Sequence, residues 1–275
     1  MIYRHWIQVG EGTLLSEDYM RLCAIAPTFV TSRGITMHVD TPNPTGNDVV
    51  QTFLDICKRN GLQQAMFSAA NCYGYYVDRS YEQKDLEAAS FLLLLRQREI
   101  QRLEHERDAQ GRPLLVASKA KPSIKLGRIW ANWIIVSDKV RKLMETQGFK
   151  GLEFGGVVLK GASVHASKEP FWELKSSITL PVMANRHRFI NPGMSAPEPF
   201  QGDFSKMIFI DDPPFRTGEV HYRRSELASL VPIDVARTFE NLMEPHPALI
   251  VSQRFYQFCV KNKIPLSVQP VRIDD

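Results

Sequence analysis

Trp133-Ile134-Ile135-Val136-Ser137-Asp138-Lys139-Val140 and Ala248-Leu249-Ile250-Val251-Ser252-Gln253-Arg254-Phe255 decide the fold class of this chain. Each opens on an apolar strand, reaches a serine and enters a basic amphipathic helix. The two serines are 115 residues apart. The first copy continues through Arg141-Lys142-Leu143-Met144 to Gly148, the second through Tyr256-Gln257-Phe258-Cys259 to Lys263. Each then returns to a valine-bearing strand, with Val157 and Val158 or Val268 and Val271. A serine at such a corner accepts a hydrogen bond from an amide of the first helical turn. Wholly apolar strands suit a sheet covered on both faces. The expected fold is therefore mixed α/β, with βαβ-like units at 134–158 and 249–273. A nucleophilic serine at a strand-to-helix elbow needs flanking glycines. Asp138 and Gln253 stand there instead, so Ser137 and Ser252 read as caps.

Between the copies runs a proline-rich connector containing Phe171-Trp172-Glu173-Leu174, which reads as a strand entry. Residues 223–239 read as a helical turn and a short helix. Upstream, Glu82 to Asp108 contains no Pro or Gly and predicts one long helix, apolar in its first half and charged in its second. Its charged end, with Arg102 and Glu106, is expected in solvent or against a partner. Asp108 to Pro113 breaks it, Leu114 to Ala117 reads as a strand, and the chain is expected to divide into parts 1–120 and 121–275. The first part adds a helix near 16–25 capped by Ser16 and a hairpin over 28–39. Asn47 or Asp48 starts a helix that Gly61 ends. Strand, turn and strand are expected over Gln64 to Tyr76.

The net charge of +4 is small for 275 residues. A dedicated nucleic-acid binder concentrates its basic residues; here they form short groups at Arg186-His187-Arg188, Arg223-Arg224 and Lys119 to Arg128. A nucleic acid is thus not the expected partner. Cys23, Cys57, Cys72 and Cys259 form no C-x-x-C pair and read as free thiols in a reducing compartment. The N-terminus lacks a signal-peptide pattern, and the longest apolar run, Phe91 to Leu95, is far short of a membrane span. The expectation is a cytoplasmic protein without membrane partner or cofactor.

Candidate chemistry is sparse. His38 and Asp40 share one face of a strand but show no third metal ligand. Cys72 has no neighbouring base. Asp211-Asp212 precede Pro213, a turn pattern. His187 sits between arginines and His246 between prolines.

The stretch from Tyr222-Arg223-Arg224 through Val235-Ala236-Arg237-Thr238-Phe239 to Leu249-Ile250-Val251-Ser252-Gln253-Arg254-Phe255 resembles the double-CXXCG-motif family of bacterial polymorphic-toxin immunity proteins. Ile134 to Val158 resembles a second block of that family. The resemblance covers about 130–275, and this chain lacks the C-x-x-C pairs. It implies a non-enzymatic protein that binds and neutralises a cognate toxin domain inside the producing cell. Interfaces favour aromatic and arginine anchors, so the expected partner-binding residues are Trp130, Trp133, Trp172, Arg186, Arg188, Arg223, Arg224, Arg102 and Glu106. Alternatives are a hydrolase that reverses a toxin's modification, using residues such as His38, Asp40, His187 and Asp211, or a nucleic-acid-binding module.

Overall fold

The computed structural model describes residues 1–10, 17–18, 20–21, 28–31, 34–65, 72–95, 97–100, 107–116, 119, 121, 123–129, 133–160, 171–184, 219–230, 232–242 and 247–275. The fold contains both helices and sheets, a mixed α/β protein. Two compact units emerge: Met1–Asp85, and the described residues of Leu86–Phe209 with Glu219–Asp275. The division falls after Asp85, not near residue 120 as expected. The reason is that Phe91–Leu94 is a strand inside the second unit's sheets.

Among the described residues, the first unit has a five-stranded sheet with the helix α1 packed on it. In chain order it contains β1 (Ile2–Gly10), β2 (Thr28–Thr31), β3 (Gly34–Thr41), α1 (Asp48–Arg59), β4 (Gln63–Ala65) and β5 (Cys72–Ser80), with sheet order β2-β3-β1-β5-β4. The hairpin expected over 28–39 is present as β2 and β3. β4 and β5 run parallel, so they do not form a hairpin. The Asn47 side chain accepts from Val50 N, which caps α1. Gly61, at φ +69°, follows the C-cap Asn60. Val50, Phe53, Ile56 and Cys57 lie buried against Ile7, Val9, Met37, Tyr73 and Val77. Each such side chain contributes roughly 1.5–3 kcal/mol by leaving water.

A long helix over 82–108 is not what forms. A short helix, α2 (Gln83–Ala88), is followed at once by β6 (Phe91–Leu94). Residues 101–106 lie outside the described residues, with Arg102 and Glu106 among them. Periodicity alone does not separate a short apolar run in a helix from a strand covered on both faces. Leu92 and Leu94 face one core and Leu93 the other, which is the strand solution.

The remaining strands are β7 (Leu114–Val116), β8 (Leu126–Arg128), β9 (Ile134–Ser137), β10 (Leu152–Gly156), β11 (Val158–Lys160), β12 (Phe171–Ser176), β13 (His221–Arg223), β14 (Val235–Asn241), β15 (Pro247–Ser252), β16 (Val268–Pro270) and β17 (Arg272–Asp274). The helices are α3 (Asp138–Glu145), α4 (Arg224–Leu227) and α5 (Gln253–Lys261). The short helix expected to run toward Phe239 is instead the single turn α4 followed by strand β14. Alternate residues of that strand are exposed or part-buried at Arg237 and Phe239 and buried at Val235, Ala236 and Thr238.

The two main sheets have orders β10-β12-β9-β8 and β14-β15-β6-β16. β9 and β10 are not neighbours, as a simple βαβ unit requires. β12 lies between them, antiparallel to both. β6 lies in the same way between β15 and β16. α3 and α5 share one core with both sheets, through Val140, Met144, Phe255 and Cys259. On the outer faces Leu115, Ile129, Ile135 and Phe171 pack beside the first sheet, and Leu93, Ala236 and Ile250 beside the second. Strands covered on both faces explain the unbroken apolar runs.

The Ser252 hydroxyl accepts from Phe255 N, as a cap should. Ser137 makes no such bond. Ser252 also donates to Asp234 Oδ1 at 2.8 Å, where Arg254 Nε donates at 2.9 Å, while Lys150 N donates to Asp234 Oδ2. Burial pushes the Asp234 pKa up, but the bonds from Arg254, Lys150 N and Ser252 together hold it below the usual carboxylate range.

Candidate partner-binding site

The outer face of the first sheet carries a charged and aromatic cluster at the place where the second sheet sets Leu93 between Ile250 and the buried Gln269. Glu173 on β12 faces Ile135 on β9 and Gly155 on β10. Its side chain is 6% exposed. Arg107 Nη2 donates to Glu173 Oε1 at 3.1 Å, and the Arg107 guanidinium lies 3.8 Å from the centre of the Trp133 ring. Arg107 also bonds the Gly111 carbonyl. Lys175, two residues along the same face, brings Nζ to 3.1 Å from Glu173 Oε2, outside hydrogen-bond geometry, so that buried oxygen accepts no hydrogen bond. The Lys175 ammonium compensates that oxygen by charge alone.

Gly155 of β10 makes room for this cluster. A Cβ on Gly155 would stand 2.9 Å from Lys175 Cε and 3.3 Å from Glu173 Oε2. Arg107 and Lys175 reach the surface, 30% and 45% exposed, above the buried carboxylate and Trp133. Trp and Arg beside a desolvated charge have the composition of an interface anchor.

Of the residues expected to bind a partner, Trp130, Arg102, Glu106, Arg186 and Arg188 lie outside the described residues. So do Ser16, Cys23, His187, Asp211, Asp212 and His246. Trp133 enters the cluster. Trp172, the neighbour of Glu173 in sequence, points to the opposite side of β12. Its Nε1 donates to Asp138 Oδ1 at 3.1 Å, and Arg141 stacks 4.4 Å from its ring centre, so it anchors the start of α3. Arg223 and Arg224 are 62% and 70% exposed and pair with Glu226 and Asp275. They belong to β13 and α4, beside the second sheet's outer core, and do not converge with Trp172.

The other candidates resolve into packing. The His38 ring sits 5.3 Å from that of Trp6, and Asp40 pairs with Arg4 Nε at 2.7 Å, so this strand face carries an aromatic and an ionic pair. Among the described residues no three His, Cys, Asp or Glu side chains are grouped to hold a metal ion. Cys57 and Cys259 are free and buried, and burial pushes both thiols up to about 12. A cavity of about 10 Å³ between Phe91, Leu180, Tyr222 and Ile250 is the size of one water. Among the described residues, no helix is long and apolar enough to cross a membrane.

Glu173 and Arg107 were missed in the sequence. The signal was there: an acid inside the apolar strand Phe171-Trp172-Glu173-Leu174, and the adjacent glycines Gly155-Gly156 on a strand. Glycine within a strand marks close approach of another group.

No family model, curated protein or solved structure matches this chain.

Proposed function

We propose that this chain is an immunity protein, a binding protein that neutralises a cognate bacterial toxin domain inside the producing cell. One observation carries the reading. A buried carboxylate oxygen without a hydrogen bond sits beneath two surface cations, one of which stacks on a buried tryptophan. Catalysis would need further groups converging on Glu173; recognition needs only a partner side chain that donates to it. The resemblance of residues 130–275 to toxin-immunity proteins supports the same reading.

Among the described residues, the basic groups argue against a nucleic-acid module. Within Lys119 to Arg128, the Lys125 ammonium donates to the Asn262 and Lys263 carbonyls and Arg128 to Glu99, while Arg223 and Arg224 have carboxylate partners. A phosphate-tracking stripe leaves its cations available.

The test is purification of the tagged full-length chain from the cells that make it, followed by mass spectrometry. A stoichiometric partner bearing a toxin domain is expected. Its loss from the isosteric Glu173→Gln variant would place Glu173 in the interface. Metabolic or substoichiometric partners alone would overturn the proposal.

A further inference from the structure

We infer that the second unit is two tandem copies of one module, and that each copy gives its first strand to the other's sheet. The first copy runs from β6 to β11 and the second from β12 to β17. The pairing registers coincide residue for residue. Phe171, Trp172 and Glu173 of β12 face Ser137, Val136 and Ile135; Phe91, Leu92 and Leu93 of β6 face Ser252, Val251 and Ile250. β12 opens the second copy yet lies in the first copy's sheet, and β6 does the reverse.

The correspondence between the copies continues past each strand. After β6 the chain returns to its own copy, where Ile100 N donates to Arg128 O and Arg128 N to Arg98 O. After β12, Leu180 N donates to Arg237 O and Arg237 N to Ile178 O, the same two bonds at equivalent places. The closing strands correspond too: β11 runs parallel to β7 and β17 parallel to β13. Even the helix ends are exchanged. Arg254 of the second copy donates to the Gln147 and Gly148 carbonyls after α3, and Lys125 of the first donates to the Asn262 and Lys263 carbonyls after α5.

This deepens the proposed binding site, and rests on that reading where it concerns function. Arg107, Trp133 and Gly155 belong to the first copy, Glu173 and Lys175 to the second. The site therefore exists only in the exchanged arrangement. A single copy of the module lacks the strand beside β9 and is completed by a second copy.

Paired cysteines in the full chain test the exchange without any toxin. Glu153 faces Lys175 across β10 and β12, both at the surface. Without exchange, Lys175 would instead meet Ser267, whose carbonyl now accepts from Leu95 N. Mild oxidation should cross-link E153C/K175C to near completion and leave K175C/S267C open, since a disulfide needs Cα atoms within about 7 Å. Cross-linking of the second pair, or failure of the first, overturns the exchange. Cleavage at a protease site inserted between Lys160 and Phe171 gives a second reading. The two fragments should co-elute in native buffer and part only in denaturant; separate elution in native buffer overturns the exchange. Loss of partner binding by Glu173→Gln leaves both readouts unchanged, so the two proposals fail separately.

Discussion

Replacing Glu173 by leucine separates a binding role from a structural one. Leucine occupies the equivalent place in the second sheet, where Leu93 is buried beside Ile250. The substitution removes one hydrogen bond from Arg107 to a carboxylate, a bond worth about 1.5–3 kcal/mol. It also removes a pair with the largely exposed Lys175, worth at most about 1 kcal/mol. Against these stand the burial of a leucine side chain, about 1.5–3 kcal/mol, and relief from desolvating a carboxylate, which costs several kcal/mol. Arg107 keeps its stacking on Trp133 and its bond to Gly111 O, and reaches water. The variant should fall between unchanged and about 2 kcal/mol more stable. Affinity for the partner should fall at least about 30-fold, since truncating one side of a buried charged contact costs about 2–5 kcal/mol. Hydrogen exchange of peptides spanning β9 and β12 measures the first quantity, and titration calorimetry against the co-purified partner the second. A variant that exchanges faster by more than 2 kcal/mol while binding as before would refute the reasoning and leave Glu173 a structural ion pair.

Gly151, at φ +85°, would place a Cβ 2.2 Å from Val235 O, whereas Gly148, at φ +59°, has open space there. Gly151→Ala should cost about 3 kcal/mol or more and Gly148→Ala about 1–2 kcal/mol in urea unfolding, because only the first adds a backbone clash to left-handed strain. Equal costs would contradict the close approach of that turn to β14. Asp234→Asn should destabilise the second unit near neutral pH and flatten its acid dependence. The depressed carboxyl pKa gives stability that is present above the ordinary value of 3.8 and lost as pH falls through the folded value. In the first unit, His5 Nε2 donates to Asn43 O and Nδ1 accepts from the Tyr75 hydroxyl, the only arrangement the carbonyl permits a neutral ring. Burial lowers the His5 pKa despite the raising effects of Asn43 O and Asp40. Its stabilisation is thus present above the ordinary 6.5 and lost as pH falls through the folded value, so the protection of β1 amides relative to their intrinsic exchange rates should fall more between about pH 7 and pH 5 than it does in a His5→Gln variant. An unchanged ratio would remove His5 as the cause. Cys57 and Cys259 should resist alkylation until denaturant is added; rapid labelling in native buffer would contradict their burial.

Local chemistry was legible in the sequence, and distant pairing was not. α1 begins after Asn47 and ends before Gly61 because cap and terminator act within a few residues. α5 begins directly after Ser252 for the same reason, whereas α3 follows Ser137 without a side-chain cap. The stretch Ala88 to Leu95 has no local signal to choose strand over helix. Its pairing with residues near 250 and 270 makes that choice. β12 entering between β9 and β10 is equally non-local. The repeat was visible from 134 and 249 onward because those segments keep apolar residues in matching places. Its opening strands were not, because Phe91-Leu92-Leu93-Leu94 and Phe171-Trp172-Glu173-Leu174 differ most where one copy carries the candidate site.

Two differences between the copies have opposite meanings. Lys125 and Asp234 stand at equivalent places, each offering its carbonyl to the amide of Ser137 or Ser252. Their charges are opposite, yet the task is preserved: Lys125 reaches the carbonyls after α5 directly, and Asp234 holds Arg254, which reaches those after α3. A cation at a helix C-terminus is favourable whichever residue supplies it. Leu93 and Glu173 are different. No second change restores apolar packing around Glu173; Trp133, Arg107 and Gly155 instead accommodate a carboxylate that is left one hydrogen bond short. Folding alone is served by leucine at that place, as the second sheet shows. That acid, held by Arg107 and Lys175 against its desolvation cost, is the physical ground for the proposal that a partner docks on this face.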